Sequence, residues 1–347
     1  MRAWFPSEAR PALVLAPMQD VTHHAFLALM ARYGGPDWYV TEYFRVYPGS
    51  RPDRHILRCL EENPTGRPVV AQMVGRDAAD LVRTARQLEA RGAAGIDLNL
   101  GCPAAVVCRK HAGGALLRDP ARIDHLLAAL REAVQGPLTV KTRIGFASAD
   151  EFPRLLGVFA RHSLDGVVVH GRTVRDGYRT PVDSAAIRRA VECLDCPVVA
   201  NGNVVSARTA LALQRRTGAA GVMVGRGAIR NPWIFRQIAA LAAGREPVRP
   251  TFRDLLAYVL LLWEAVTLPG TREAGMVAAM KKYMNFVADG IDEEGAFLHG
   301  VRRAATAGEF HDLCARFLDR DGFPPDEPPV SSSSFRGFDA LREEEAG

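Results

Sequence analysis

Residues 197–228 read PVVANGNVVSARTALALQRRTGAAGVMVGRGA. Pro197–Ala200 and Gly221–Val224 are short, continuous apolar runs, the pattern of strands covered on both faces. Between them Ser206 is a helix start signal, Ser206–Thr217 is amphipathic, and Gly218 is a stop. Each run ends directly on a turn rich in glycine and polar residues, Asn201-Gly202-Asn203 and Gly225-Arg226-Gly227. Working outward, the same unit recurs. Leu13–Ala16, Trp38–Thr41, Val69–Met73, Gly95–Leu98, Leu138–Lys141 and Gly166–Val169 are further candidate strands. Asp77–Arg91, Pro120–Val134, Ala149–His162 and Ser184–Cys193 are candidate helices between them, with Asp77 and Asp119 as starts and Gly92 and Gly136 as stops. Strand then helix, repeated about eight times over roughly 230 residues, predicts a (β/α)8 TIM barrel. A doubly wound sheet fits less well, because no glycine-rich dinucleotide turn follows the first strand.

The chain has 347 residues, more than one barrel of about 250 requires. Residues 1–245 are assigned to the barrel. Beyond the Pro247 and Pro250 linker, residues 250–320 read as a separate all-helical domain, with helices over Phe252–Thr267, Arg272–Ala288, Glu293–Thr306 and Glu309–Leu318. Residues 321–347, with four prolines, four serines in a row and an acidic end, have the composition of a disordered tail. Hydrophobic residues at 48% are ample for a packed core. No apolar stretch approaches about 18 residues, so no membrane span is expected. The start lacks a signal-peptide layout and the six cysteines are scattered, which predicts reduced thiols in the cytoplasm. A formal charge of +5 is compatible with a nucleic-acid partner.

In a (β/α)8 barrel the carboxyl ends of the strands build the active site. Eight ends here carry usable chemistry: Ala16-Pro17-Met18, Glu42, Gln72, Asn99 with Cys102, Lys141 with Arg143, His170, Asn201-Gly202-Asn203, and Gly225-Arg226. The last two turns follow strands seven and eight, the usual phosphate site of this fold, where glycines admit backbone N–H groups and Arg226 adds charge. Lys141 and Gln72 suit the acceptors and the N–H of an isoalloxazine ring, which makes the phosphate-bearing ligand a flavin. A Schiff-base lysine is the competing use of Lys141. Cys102 opens a glycine-rich loop through Gly113-Gly114, and a thiol with an ordinary pKa near 8.5 can donate a proton. Cys59, Cys193 and Cys314 read as small buried hydrophobes. Cys193 and Cys196 form a C-x-x-C pair with no second pair at metal spacing, so no metal is expected.

The set of motifs resembles the tRNA-dihydrouridine synthase family. The matching pieces are Ala16-Pro17-Met18, Thr41-Glu42, Gln72-Met73-Val74-Gly75, Asp97-Leu98-Asn99-Leu100-Gly101-Cys102-Pro103, Gly113-Gly114-Ala115-Leu116-Leu117, Val140-Lys141-Thr142-Arg143-Ile144-Gly145, Val169-His170-Gly171-Arg172-Thr173, Ala200-Asn201-Gly202-Asn203 and Val224-Gly225-Arg226-Gly227-Ala228. The resemblance implies FMN as cofactor, NADPH as reductant, and reduction of the C5–C6 double bond of uridine in tRNA. It implies that Ala16, Pro17, Met18, Gln72, Lys141, His170, Asn201, Gly202, Asn203, Gly225 and Arg226 hold FMN. Cys102 would protonate C5 after the flavin N5 passes hydride to C6, with Asn99, Arg143 and Tyr178 at the target base. Glu42, Lys281 and Lys282 are further substrate-side candidates. The base must be flipped to reach a flavin inside the rim.

Thr41–Val46, the run through Gly177-Tyr178-Arg179 and Met280-Lys281-Lys282-Tyr283-Met284 resemble the branch acting at tRNA position 16. Two departures stand against that pattern. Ala104-Ala105-Val106-Val107-Cys108 replaces a loop that often carries Lys then Asn, and Ala279 stands where the branch has arginine. A monomer is expected. An FMN barrel acting on a free pyrimidine, of the dihydroorotate dehydrogenase kind, explains the rim but not the helical region, and a non-catalytic RNA-binding barrel explains the basic charge but not Cys102.

Overall fold

The structure, a computed structural model, describes residues 10–267 and 270–338. Nine strands run in chain order: β1 Ala12–Leu15, β2 Trp38–Val40, β3 Phe44–Arg45, β4 Val69–Val74, β5 Gly95–Leu100, β6 Leu138–Arg143, β7 Gly166–His170, β8 Val198–Asn201 and β9 Gly221–Val224. All pairings are parallel, in the order β2-β1-β9-β8-β7-β6-β5-β4, and β2 pairs with β4 to close the ring. The closed eight-stranded barrel is the TIM barrel that the repeating strand–helix unit predicts. The ninth strand, β3, is a two-residue run beside the end of β4, with Phe44 opposite Met73.

Side chains alternate along a strand, so residues two apart share a face. Val14, Ala16, Trp38, Val40, Val70, Val168, Val199 and Met223 form one buried cluster, the apolar filling of the barrel. Continuing the same parity toward the carboxyl ends reaches Gln72, Asn99, Lys141, His170, Asn201 and Gly225. Register brings them level: Asn99 lies opposite Lys141 and His170 opposite Asn201. The helices outside are capped where the sequence indicates, by Asp77 on Asp80 N, Asp119 on Arg122 N and a Ser206–Thr209 capping box.

The carboxyl-terminal helices are Phe252–Val266, Glu273–Val287, Ala296–Arg303 and Ala307–Leu318. Their core is continuous with that around the barrel. Tyr258 donates to Ile229 O at 2.9 Å, and the Tyr283 hydroxyl reaches Val21 O and His23 Nε2, both at 3.1 Å. No described helix is long and apolar enough to cross a membrane.

The expectation of disorder from Asp321 onward fails for residues 321–338. Phe335 and Phe338 are buried against Val205 and Phe286, and Ser332 Oγ donates to the Asp289 carboxylate. Two aromatic anchors and a buried hydroxyl offset the ordering cost of a segment whose composition alone predicts none. Residues 339–347 lie outside the described residues. Cys193, expected to be buried, is exposed, whereas Cys59 and Cys314 are buried.

Candidate active site

A cavity of about 450 Å³ opens at the carboxyl ends of the strands, within the range of small-molecule sites. Of the residues singled out in the sequence, Ala16, Pro17, Met18, Asn99, Cys102, Lys141, Arg143, His170, Tyr178, Asn201, Gly202, Asn203, Gly225 and Arg226 line it. Gln72, Glu42, Lys281 and Lys282 do not. Gln19 and Phe335, which lie in none of the motifs, and Tyr43, which falls only within the Thr41–Val46 run, do.

Beneath the cavity a buried polar chain crosses the barrel. Asp97 accepts from Thr139 Oγ1 at 2.6 Å and from Gln72 Nε2 at 2.8 Å, and Gln72 Oε1 accepts from Asn99 Nδ2 at 2.8 Å. Both ends of the Gln72 amide are therefore engaged inside the barrel. Asn99 Oδ1 accepts from Gly101 N at 3.1 Å and Cys102 N at 2.9 Å, so the chain ends by holding the loop that carries the thiol. Cys102 O accepts from Gly114 N at 3.1 Å and Cys108 Sγ at 3.5 Å, and a Cβ on Gly114 would lie 2.9 Å from that oxygen. The loop closes on itself only because residue 114 is glycine. Asn99→Ala is expected to cost about 1–3 kcal/mol, since it orphans Gln72 Oε1 and two N–H groups. Urea unfolding measures this; an unchanged midpoint at unchanged slope contradicts it.

Tyr43 packs against Cys102. Burial, then Cys102, raise the pKa of its hydroxyl, against a lowering pull from Arg45. Arg143 is buried and spends its donors on backbone, with Nε to Gly101 O at 2.9 Å and Nη1 to Thr173 O and Gly177 O at 2.8 Å. It ties the loops after β5 and β7 together and places its guanidinium 5.2 Å from the Tyr178 ring centroid. Glu42 is buried, and its carboxylate accepts from Val21 N at 3.1 Å, bracing the loop after β1. Burial, then His24 and Lys282, push His23 down to about 4, and Lys282 does not line the cavity.

The far side of the cavity is cationic. Lys141 Nζ donates to Asn201 Oδ1 at 3.2 Å, and Arg226 lies 4.4 Å from the Tyr178 ring centroid. Burial first, and then Arg143, Lys141, Arg172 and Arg226, hold the His170 pKa well below its usual value, so the imidazole is neutral at pH 7. Two buried nitrogens there have no partner, His170 Nδ1 and Arg172 Nη1. An unpartnered guanidinium N–H, with Lys141, Arg143 and Arg226 near it, is the complement of an anion. At Gly225 a Cβ would meet only Ala16 Cβ at 3.6 Å and Met18 Sδ at 3.8 Å, so the protein itself leaves room for one. It would project toward cavity-lining atoms, the place of a ligand. Gly202 is different: its φ of +127° already requires glycine. These features fit a ligand with an anionic end and a flat body, as a flavin mononucleotide has. Among the described residues no group of three or more His, Cys, Asp or Glu side chains is placed to hold a metal.

Residues 334–337 border the cationic side of the cavity. Arg172 Nη2 donates to Arg336 O at 3.1 Å, and Arg226 and Asn203 donate to Ser334 O and Gly337 O. The segment is thus wired to the cationic side chains, and Phe335 forms part of the wall.

Comparison with known proteins matches this arrangement to a family. The family described as dihydrouridine synthase (Dus) matches residues 14–318. A tRNA-dihydrouridine(16) synthase of Pseudomonas syringae pv. tomato is 32% identical over 286 residues, 78% of this chain and 90% of that protein. A tRNA-dihydrouridine synthase B of Xanthomonas axonopodis pv. citri is 34% identical over 324 residues, 92% of this chain and 97% of that protein. Among solved structures, histamine dehydrogenase from Rhizobium shares the fold at a TM-score of 0.52 and 11% identity, over 72% of this chain and 49% of that one. With the barrel, the cavity and the match over residues 14–318 in agreement, this chain belongs to the dihydrouridine synthase family.

Proposed function

We propose that the protein reduces uridine to 5,6-dihydrouridine in tRNA, with FMN in the cavity, NADPH as reductant and position 16 of the D-loop as target. It works in the cytoplasm as a monomer. The observation that carries this reading is the pairing, in one cavity, of a thiol loop on one side with the buried cations Lys141 and Arg226 on the other. As a member of this family the protein is a flavin-dependent oxidoreductase. The relatives named for position 16 support the site choice, and the relative of type B is the alternative it must be tested against.

In this reading Arg226, Arg172 and the Gly225 turn face the FMN phosphate, and Lys141 and Asn201 face the ring. FMN, when bound, supplies the hydride for the uracil C5–C6 bond. Cys102 supplies the proton at C5, and Tyr43 borders the thiol. Tyr178, 47% exposed at the cavity mouth and edge-on to His170 at 5.9 Å, is positioned to meet the flipped base. Gln72 and Asn99 act through the loop they hold, and Lys281 and Lys282 meet RNA outside the cavity. Mapping dihydrouridine in tRNA from cells with and without the protein tests the proposal: loss at position 16 supports it, and loss at another D-loop position moves the target.

The segment bordering the cavity yields a further expectation. Phe335→Ala removes a buried aromatic worth about 1.5–3 kcal/mol, so FMN should dissociate roughly tenfold faster or more. Recovery of flavin fluorescence on dilution measures the rate; an unchanged rate contradicts a retaining role for residues 332–338.

A further inference from the structure

A second groove, about 790 Å³, lies on the other side of the Cys102 loop. The loop is shared: Val107 and Ala112 pack with Tyr43 against Cys102 and Ala104, while Arg109, Lys110 and His111 turn outward into the groove. Its walls carry Arg45, Arg76, Arg109, Lys110, Arg118 and Arg122 against two carboxylates, Asp77 and Asp119. Both carboxylates are already engaged as helix caps. A local excess of four positive charges in one groove is most of the +5 carried by the whole chain. None of Arg45, Arg76, Arg109, Lys110 or Arg118 forms an ion pair among the described residues. Arg118 Cζ lies 3.5 Å from the Phe146 ring centroid, and Arg122 donates to Arg76 O at 2.7 and 3.0 Å.

Cations left unpaired in a concave surface repel one another, and folding gives no reason to gather them. Two exposed apolar side chains stand among them, Tyr47 at 58% and Val106 at 47%. Charged donors interleaved with an exposed aromatic ring are the composition of a surface that tracks a nucleic-acid backbone and stacks a base. A small anion would need one or two such groups; with Arg118 on Phe146 and Arg122 on Arg76 O, the remaining four, Arg45, Arg76, Arg109 and Lys110, match a run of phosphates.

We propose that this groove binds the RNA strand flanking the reduced uridine, with Arg109, Lys110, Arg76 and Arg45 on successive phosphates and Tyr47 against a base. The inference rests on the reading of the protein as a tRNA-modifying enzyme. It makes the Cys102 loop a partition, with the flipped uracil on one side and its backbone neighbours on the other. It also gives the departure at residues 104–108 a neighbour with a purpose: the loop that follows it presents Arg109-Lys110 outward.

The test is the double variant Arg109→Gln/Lys110→Gln, exposed residues outside the catalytic cavity, assayed with flavin-loaded enzyme and unmodified tRNA transcript. The KM for tRNA should rise about tenfold with kcat held within about twofold. The slope of log affinity against log salt should shrink by roughly 0.7–0.9 for each phosphate left without its cation. Flavin content and NADPH oxidation without tRNA should not change. The charge-reversed pair Arg109→Glu/Lys110→Glu should weaken tRNA further, and Tyr47→Ala should weaken it with no change in salt slope. Unchanged tRNA affinity and slope in both double variants overturns the proposal, as does a rise confined to the KM for NADPH, which would assign the groove to the reductant. Failure of the wild-type protein to bind or reduce tRNA would instead overturn the underlying reading.

Discussion

Cys102→Ala is expected to lower dihydrouridine formation by roughly 10²–10⁴-fold, the contribution of a positioned general acid, and to leave flavin bound. The expectation follows from where the thiol is held. Asn99 Oδ1 fixes the backbone of Gly101 and Cys102, Gly114 closes the loop behind it, and Arg143 clamps Gly101 O from the neighbouring strand end. A side chain so anchored lines the cavity and is not among the groups proposed to hold the cofactor. Removing the sulfur should therefore delete the proposed proton source and leave Lys141, Arg172 and Arg226 in place. Single-turnover reduction of tRNA with pre-reduced enzyme separates the proton step from cofactor loading. A variant at wild-type rate would remove Cys102 from the chemistry.

Lys141→Met should weaken flavin binding by roughly tenfold or more, since it deletes a charged hydrogen-bond donor worth about 1.5–3 kcal/mol and leaves Asn201 Oδ1 without its partner. The same side chain carries a pH signature. Burial first, then Arg143, bring the Lys141 pKa down to about 8, against upward pulls from Asp97 and Cys102. An anionic ligand favours the protonated form and raises that pKa. Affinity is then highest below about 8 and falls as pH rises through the window above it. In the flavin-free protein the sign is opposite for stability. The unfolded chain keeps Lys141 protonated up to about 10.5, so between about 8 and 10.5 stability rises with pH. Titration of flavin affinity across pH 6–10 checks the binding step: it should run downward in the wild type and be absent in Lys141→Met. A step of equal size in the variant assigns it to another group.

How much of this is legible in the sequence depends on the range of the interaction. The barrel is readable because buried parallel strands announce themselves one at a time, and the polar residue ending each run falls on the rim whatever the neighbouring strands do. Lys141, His170 and Asn201 need nothing more. Gln72 shows the limit: its strand end is readable, but its capture between Asp97 and Asn99 depends on the register of β4 against β5. Glu42 stays out of the cavity for a related cause, because its carboxylate holds the loop after β1, whose path no local signal gives. Tyr43 stands beside Glu42 in the chain, and one residue of offset at a strand end decides which side chain faces the cavity. Residues 321–338 read as disordered because proline and serine dominate the composition. The signal against that reading is the pair Phe335 and Phe338, two large apolar side chains in a stretch that otherwise has no reason to carry them.

A flavin and the Cys102 thiol are proposed to act together on a uridine held in RNA. The most direct test incubates the purified protein with FMN, NADPH and an unmodified tRNA transcript, and counts reduced uridines by mass spectrometry. One dihydrouridine for each tRNA at a single D-loop position, none with Cys102→Ala, is the predicted result. Reduction of free uracil or orotate with the tRNA left unmodified would contradict it.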